Sequence, residues 1–309
     1  MLGAEPFQAD GGPVGVLFCH GFTGTPQSMR PWAESLAERG YTVSVPRLPG
    51  HGTHWRDANA TRWTDWYGEV ERAYTELSGR CDAVFACGLS MGGTLALRLA
   101  QQVGAGLSGL VVVNPSVTTE RFDGKYLVPV LGRLLPAWKG IGSDIKKPGT
   151  VETAYPYLPL KALLSLREMW GVVRADLPRI TQPLLLFRSR VDHVVEPVNS
   201  RIVLGSVSST DTTERVLDNS YHVATLDYDA PEIFATSAEW IAARAPAPEP
   251  AGGIPVPDPG RTDVPDPGGG APATGGTQVP DPGGALADAL ADSAGADGGG
   301  DATDGGTKG

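Results

Sequence analysis

The stretch ACGLSMGGT, residues 86–94, places one serine among three glycines, between two apolar runs. This pattern predicts a strand that ends just before Ser90 and a helix that begins just after it. The chain must then reverse within a residue or two, which forces Ser90 into a strained backbone conformation with its hydroxyl projecting outward, and Gly88 and Gly92 make room for the turn. The helix start also directs free N–H groups at whatever the hydroxyl attacks. We therefore predict that Ser90 is a nucleophile, the alternative being a structural serine in a tight turn.

Short apolar runs alternate with helical patterns on both sides of this turn, over residues 14–243. A helical pattern begins, for example, at Thr61. Continuous apolar strands joined by helices predict an α/β fold, with a mostly parallel central sheet covered by helices on both faces. Six runs are predicted strands: VGVLFCH (14–20), YTVSVPRL (41–48), CDAVFACGL (81–89), LSGLVVVN (107–114), PLLLFRS (183–189) and TERVLD (213–218).

Almost seventy residues between Asn114 and Pro183 interrupt the alternation and contain no convincing sheet strand. A structureless loop of that length inside a compact domain is unusual, so an inserted helical cap over the sheet is predicted. The apolar stretch YLVPVLGRLLPAW (126–138) is interpreted as a buried tunnel wall, with transient membrane or micelle contact as its other use. The predicted division is a core in two parts, 1–114 and 183–245, with a cap at 115–182.

The last part of the chain, 246–309, has a different composition. It holds 17 Gly and 11 Pro in 64 residues, no aromatic residue and three copies of VPDPG, so it is predicted to be disordered. Its ten Asp and Glu against Arg261 and Lys308 give a net charge of −8, which leaves −2 of the total −10 for the remaining 245 residues. A nearly neutral body offers no basic footprint for nucleic acid.

The beginning of the chain and its cysteines give two further expectations. Residues 1–13 contain no Lys or Arg, and the first apolar run is too short for a signal-peptide core or a membrane span, so a cytoplasmic protein is predicted. Cys19, Cys81 and Cys87 lie in or beside apolar runs at a spacing that matches no metal motif. They are interpreted as core thiols, and no metal or cofactor is predicted.

A serine hydroxyl needs a base, and the base needs a carboxylate that orients it. In enzymes with this type of turn the chain order is Ser, then Asp or Glu, then His. Of five histidines only His193 and His222 follow Ser90. His222 lies in a loop after the last predicted strand, where a base could reach back, whereas His193 directly follows Asp192 and is interpreted as a structural or surface histidine.

Two aspartates compete for the place of the orienting carboxylate. Asp192 follows a predicted strand and should emerge at the carboxyl edge of the sheet beside the serine, although its setting would also suit a helix cap or turn. Asp218 lies only four residues before His222, too local to support the imidazole from behind. We therefore predict Asp192 as the acid.

The developing oxyanion needs two preorganised N–H donors, each worth on the order of 3 kcal/mol. One is predicted to be the amide of Met91, the residue after the nucleophile. The other is predicted in the loop HGFTGTP (20–26), whose glycines at 21 and 24 let the backbone turn inward, and the amide of Phe22 is the best candidate. The alternative for this loop is a glycine-rich turn without a catalytic part.

Several segments together resemble the bacterial monoacylglycerol lipases of the α/β-hydrolase superfamily, close to the small bacterial carboxylesterases. The resemblance spans roughly residues 13–243 and includes the predicted cap. It implies that Ser90, Asp192 and His222 form a catalytic triad, with Phe22 and Met91 as the oxyanion-hole pair. The segments are LFCHGFTGTPQSMRPWAESLAERGYTVSVPRLPGHGTHW, CDAVFACGLSMGGTLAL, GIGSDIKKPGTVETAYP, RSRVDHVVEP and NSYHVATLDYD.

The same resemblance implies a substrate. Ile141 and Glu152 are similar to cap positions that contact the glycerol end, with Glu152 accepting hydrogen bonds from hydroxyls. A solvated glutamate is the alternative for Glu152. The expected activity is hydrolysis of a lipid ester, monoacylglycerol, to glycerol and a fatty acid through an acyl-enzyme on Ser90. The rivals are a broad carboxylesterase for short and medium-chain esters and a non-catalytic ligand-binding protein on a hydrolase scaffold.

Overall fold

The computed structural model describes residues 1–122, 127–140 and 143–246. The predicted tail, apart from Pro246, lies outside the described residues. Seven of the nine strands within these ranges form one sheet in the order β1-β3-β2-β4-β5-β8-β9, in which only β1 runs antiparallel to its neighbour. The strands are β1 (Phe7–Ala9), β2 (Val14–Cys19), β3 (Thr42–Val45), β4 (Ala83–Leu89), β5 (Gly109–Val113), β6 (Ala137–Lys139), β7 (Tyr157–Pro159), β8 (Leu184–Ser189) and β9 (Thr212–Leu217).

Helices cover both faces of the sheet, and successive strand residues point to opposite faces. On one face Leu110 and Val112 pack with α3, α4 and α6, and on the other Val111 and Val113 pack with α1 and α8. The mostly parallel, doubly covered sheet is therefore confirmed. The helices of the described residues are α1 (Arg30–Ala37), α2 (Trp55–Ala58), α3 (Trp63–Ser78), α4 (Met91–Val103), α5 (Val128–Leu134), α6 (Leu160–Asp176), α7 (Val198–Ser206) and α8 (Ala230–Ala242).

The six predicted strands are confirmed as β2 to β5, β8 and β9. The edge strand β1 was not predicted, because three residues without an apolar run carry no periodic signal. β6 and β7 were not predicted either. They pair antiparallel across an interval of about twenty residues to form a separate two-stranded sheet, so the interval between β5 and β8 is not purely helical.

The apolar stretch 126–138 differs from its interpretation as a tunnel wall. Leu134 is 74% exposed and Val130 59% exposed, and Leu127, Leu135 and Trp138 are exposed as well. Among the described side chains of this stretch, Val128 and Trp138 line the pocket described below. The described helices include none that is long and apolar enough to cross a membrane.

Candidate active site

Ser90 occupies the turn between β4 and α4. Its φ of +56° and ψ of −118° lie outside the regions that L-residues ordinarily adopt, which confirms the predicted strain. The flanking glycines are required sterically. A Cβ on Gly88 would lie 2.3 Å from the carbonyl oxygen of Gly92, and a Cβ on Gly92 would lie 1.9 Å from the carbonyl oxygen of Cys19. The strand, turn and helix are thus packed backbone against backbone around the serine.

The two predicted oxyanion donors belong to two different elements beside the pocket that contains Ser90. Met91 is the first residue of α4, and Phe22 lies in the loop after β2. Neither backbone N–H donates to an acceptor among the described residues, so both are available to a ligand. The positive φ in this loop belongs to Thr23, at +64°, and not to the glycines on which the prediction relied. Gly24 lies against Glu152, because a Cβ there would lie 2.6 Å from Glu152 Oε1.

The structure brings His222 together with Asp192. The imidazole Nδ1 lies 2.8 Å from Asp192 Oδ2, and the two side chains are 8% and 4% exposed. The other carboxylate oxygen, Oδ1, accepts hydrogen bonds at 2.8 Å from the backbone N–H groups of Val194 and Val195. Asp218 is exposed and forms an ion pair with Arg190 instead.

The electrostatic surroundings of the pair favour a carboxylate beside an imidazole that binds a proton readily. Burial acts to raise the pKa of Asp192, but the His222 charge, its hydrogen bond and the two backbone donors lower the pKa below its ordinary value. Burial acts to lower the pKa of His222, but Asp192, Glu152 and Asp144 together raise it above its ordinary value. An imidazolium formed during proton transfer would therefore be stabilised.

Ser90 and His222 line one pocket of about 340 Å³. No hydrogen bond joins their side chains in the described part of the chain; such bonds are often long until a substrate complex forms. Much of the remaining wall is apolar and includes Phe22, Leu166 and Trp170. The pocket can therefore hold an apolar group next to a hydroxyl and an imidazole.

Glu152 also lines this pocket. Its side chain is half-buried, and its backbone N–H donates to Ser143 Oγ at 3.1 Å. Burial raises the pKa of Glu152 to about 7, against a lowering by His222. A carboxyl with that pKa can accept or donate hydrogen bonds near neutral pH. Ile141, the other predicted contact of the glycerol end, lies outside the described residues.

The loop that carries His222 is held by polar residues that the sequence interpretation missed. The buried Asn114, at the end of β5, donates from Nδ2 to the His222 carbonyl at 2.8 Å and to Ser189 Oγ at 3.0 Å, and its Oδ1 accepts from the Ser189 N–H. Asp144 accepts a hydrogen bond from the His222 N–H at 3.2 Å. Asp227, which is 2% exposed, accepts from the Tyr221 N–H at 2.9 Å. A polar residue directly after an apolar strand was the only available signal for Asn114.

The three cysteines are free thiols. Cys19 and Cys87 are buried, as predicted, and burial raises the pKa of Cys19 to about 12, which keeps it a thiol. Cys81 is half-buried. Across residues 1–122, 127–140 and 143–246, no cluster of three or more His, Cys, Asp or Glu side chains could hold a metal ion.

Comparisons with known proteins identify the family of this chain. The family model described as serine aminopeptidase, S33 (Hydrolase_4) matches residues 14–229. The thermostable monoacylglycerol lipase of Bacillus sp. (strain H-257) is 47% identical over 246 residues, 79% of this chain and 97% of that protein. The carboxylesterase of Bacillus subtilis (strain 168) is 29% identical over 228 residues, 72% of this chain and 90% of that protein.

A solved structure is also similar to this chain. It comes from work on two metagenome-derived lipolytic enzymes, LipS and LipT, and matches with a TM-score of 0.76 at 41% identity, covering 79% of this chain and 99% of that one. These matches confirm the resemblance found in the sequence. The chain has an α/β-hydrolase fold and belongs to the serine aminopeptidase S33 family of hydrolases.

Proposed function

We propose that this protein hydrolyses monoacylglycerols to glycerol and a fatty acid through an acyl-enzyme on Ser90. The observation that carries the proposal is the pocket itself, which combines Ser90, His222 and the carboxyl of Glu152 with an apolar wall. The 47% identical relative is named a monoacylglycerol lipase, which supports the same substrate class.

The reaction follows from the positions of these groups. The Ser90 hydroxyl attacks the ester carbonyl carbon while His222 takes its proton, and the oxyanion accepts hydrogen bonds from the amides of Phe22 and Met91. Asp192 orients the imidazole and stabilises the imidazolium. His222 then returns the proton to the departing glycerol oxygen. Water, deprotonated by His222, hydrolyses the acyl-enzyme, and the fatty acid leaves as Ser90 recovers its proton.

The two ends of the substrate have different requirements. An acyl chain gains about 0.8 kcal/mol per buried methylene, which an apolar wall provides. The glycerol end carries two free hydroxyls, which need polar partners when they leave water. Glu152 can supply acceptors for both hydroxyls. The apolar wall is lined by Leu158, Leu163, Leu166, Trp170, Val194 and Val195.

The nucleophile is tested by labelling with a fluorophosphonate probe. The wild type should react and the Ser90→Ala variant should not, with hydrolysis falling by at least ~10³-fold in the variant. A folded wild type that neither reacts nor turns over an ester would support the rival reading as a ligand-binding protein. An amide of the same acyl chain serves as a control, because the family description names a peptidase.

Substrate choice is tested by comparing 1-lauroylglycerol with methyl laurate before and after Glu152→Ala. In the variant, kcat/KM for the glycerol ester should fall roughly ten-fold, which corresponds to about 1.4 kcal/mol of lost hydrogen bonding. For the methyl ester, kcat/KM should fall much less. An equal loss for both esters would favour a broad carboxylesterase, the name carried by the 29% identical relative.

We further propose that the exposed apolar side chains of residues 127–138 contact membranes or micelles that hold the substrate. A patch of this kind marks an interaction surface. Leu134→Glu should reduce co-sedimentation with phosphatidylcholine vesicles, whereas Leu2→Glu, at a site 94% exposed outside this stretch, should not. Equal binding by both variants and the wild type would overturn the proposal. The cytoplasmic location expected from the sequence stays a prediction.

A further inference from the structure

One segment of the chain joins the two sides of the pocket. We call residues 143–155 the bridging segment. At its far end, the Tyr155 N–H donates to the Thr23 carbonyl at 3.1 Å, in the loop of the proposed oxyanion donor. Gln27 holds the same end, because its Oε1 accepts from the Thr153 N–H at 3.0 Å and its Nε2 donates to the Val151 carbonyl at 3.2 Å. This end is therefore fixed to the loop after β2.

The near end of the bridging segment is fixed to the loops of the acid and the base by Asp144. Its Oδ2 accepts from the backbone N–H groups of His193 and His222, both at 3.2 Å. Its Oδ1 lies 2.8 Å from His193 Nδ1, and its own carbonyl accepts from the Val223 N–H at 3.1 Å. One carboxylate thus joins the residue after Asp192 to the base itself.

A second aspartate makes the reciprocal connection. Asp227, in the loop after His222, accepts hydrogen bonds from the backbone N–H groups of Lys146 at 2.7 Å and Lys147 at 2.9 Å. The bridging segment and the His222 loop therefore hold each other from both sides.

We propose that Asp144 is a positioning residue that holds the loops of Asp192 and His222 in register for proton transfer. The inference rests on the proposed function, since it assumes that His222 is the base. The Asp144 side chain is 10% exposed and lines the pocket, so its hydrogen bonds compete little with water. Within the described residues its side-chain hydrogen bonds go to His193 and His222, and so it acts through His222.

The charge of Asp144 gives this role a signature that simple anchoring lacks. Asp192, Glu152 and Asp144 are the three carboxylates that raise the pKa of His222. His193 faces Asp144 on the side away from His222's backbone contact, with its ring 54% exposed and its Nδ1 2.8 Å from Asp144 Oδ1. The base must be neutral to accept the Ser90 proton, so kcat/KM rises with pH through the pKa of His222.

The test is the pH profile of the full-length Asp144→Asn variant with a monoacylglycerol. Asn keeps the shape and one acceptor oxygen but removes the charge. The acid limb of kcat/KM should move to lower pH. At the plateau, kcat should fall roughly five-fold with little change in KM, because one hydrogen bond to the His222 loop is weakened. Asp218→Asn, which removes an exposed carboxylate near His222 in sequence, should leave the acid limb in place. An Asp144→Asn variant with unchanged acid limb and unchanged kcat would overturn the proposal, even if its melting temperature fell.

One measurement keeps the test independent of the proposed function. The pKa of the His222 imidazole, followed by NMR in the substrate-free chain, should fall in Asp144→Asn whether or not any ester is turned over; an unchanged value would overturn the inference. If wild type and Ser90→Ala hydrolyse equally well, the proposed function fails, and the NMR result still decides the role of Asp144.

Discussion

The nucleophile and the base of the candidate site are held in place by different forces. Ser90 is positioned by steric contact, in a turn where the backbones of β2, β4 and α4 leave no room for a single methyl group on Gly92. His222 lies in a loop where its carbonyl accepts a hydrogen bond from Asn114, its N–H donates to Asp144 and its imidazole is bonded to Asp192. The first arrangement is built on the adjacent residues of β4 and α4, with Cys19 of β2 as its distant contact, and the second uses residues from three distant parts of the chain.

This difference has consequences for how each half tolerates change. Backbone packed against backbone cannot relax, so an added atom displaces whole elements. A hydrogen-bonded loop can lose one bond and keep its fold, at the cost of the buried groups left unpaired. We therefore expect substitutions around Ser90 to affect folding and those around His222 to affect activity more than folding.

The largest effect is expected from Gly92→Ala. The new Cβ would lie 1.9 Å from the Cys19 carbonyl oxygen, far inside van der Waals contact, so β2 and α4 must separate. We expect a loss of about 4 kcal/mol or more in the free energy of unfolding, or no folded protein. Gly171→Ala in α6 is the matched control, because a Cβ there meets nothing within 4 Å, and a helical Gly→Ala change should be neutral or stabilising by up to about 1 kcal/mol. Urea unfolding compares the two; equal stabilities would show that the turn is not sterically fixed.

A smaller loss of stability, with a loss of turnover, is expected from Asn114→Ala. The change leaves the buried Ser189 N–H and the His222 carbonyl without their partner, at about 1–3 kcal/mol, and Ala is also disfavoured at the φ of +45° found here. Asn114→Gly removes the same hydrogen bonds but tolerates that φ. We expect kcat to fall roughly ten-fold in both variants, with Gly the more stable by about 1 kcal/mol. A variant that loses stability and keeps its kcat would mean that Asn114 supports the fold and not the base.

A pH-dependent effect is expected from Glu152→Gln, because burial raises the pKa of Glu152 from 4.5 to about 7. A raised folded-state pKa means that the native state binds the proton more tightly, so the stability contribution is complete below about pH 4.5 and is lost as pH rises through about 7. The full shift corresponds to roughly 3 kcal/mol, and partial exposure reduces the expected effect to about 1–2 kcal/mol. The free energies of unfolding of the variant and the wild type are measured at pH 5 and at pH 8. Relative to the wild type, the variant should be more stable at pH 8 than at pH 5 by about 1–2 kcal/mol. A difference independent of pH would mean that Glu152 is solvated.

The same contrast explains what the sequence could predict. The turn around Ser90 was readable because its strand, glycines and helix are adjacent in the chain, and the six longer strands were readable from continuous apolar runs. Three-residue β1 and the pairing of β6 with β7 carried no such signal. The hydrogen bonds of Asn114 and Asp144 to the His222 loop span 108 and 78 residues, and no local pattern encodes a contact at that range.

The exposure of residues 127–138 was also out of reach, for a related reason. An apolar run indicates that side chains avoid water, but it does not indicate whether protein or another phase covers them. The interpretation as a tunnel wall used the commoner outcome, and the structure leaves Val130 and Leu134 exposed.

Thr23 shows the same limit on a smaller scale, because a threonine in the left-handed region is held there by its surroundings and not by its own preference.

The smallest effect is expected from Asp218→Ala. This variant tests whether the carboxylate that orients His222 is the one near it in sequence or the one that contacts it in the structure. Asp218 is four residues before His222, yet its carboxylate is 61% exposed and paired with Arg190, itself 63% exposed. An exposed ion pair contributes less than about 1 kcal/mol, so stability should change by about 0.5 kcal/mol or less, and kcat should not change. Asp192→Ala, which removes a carboxylate 4% exposed and bonded to the imidazole, should reduce kcat by ~10⁴-fold, as the loss of a triad acid does elsewhere. If the two variants had equal activity, the imidazole at 222 would not depend on the carboxylate that it contacts.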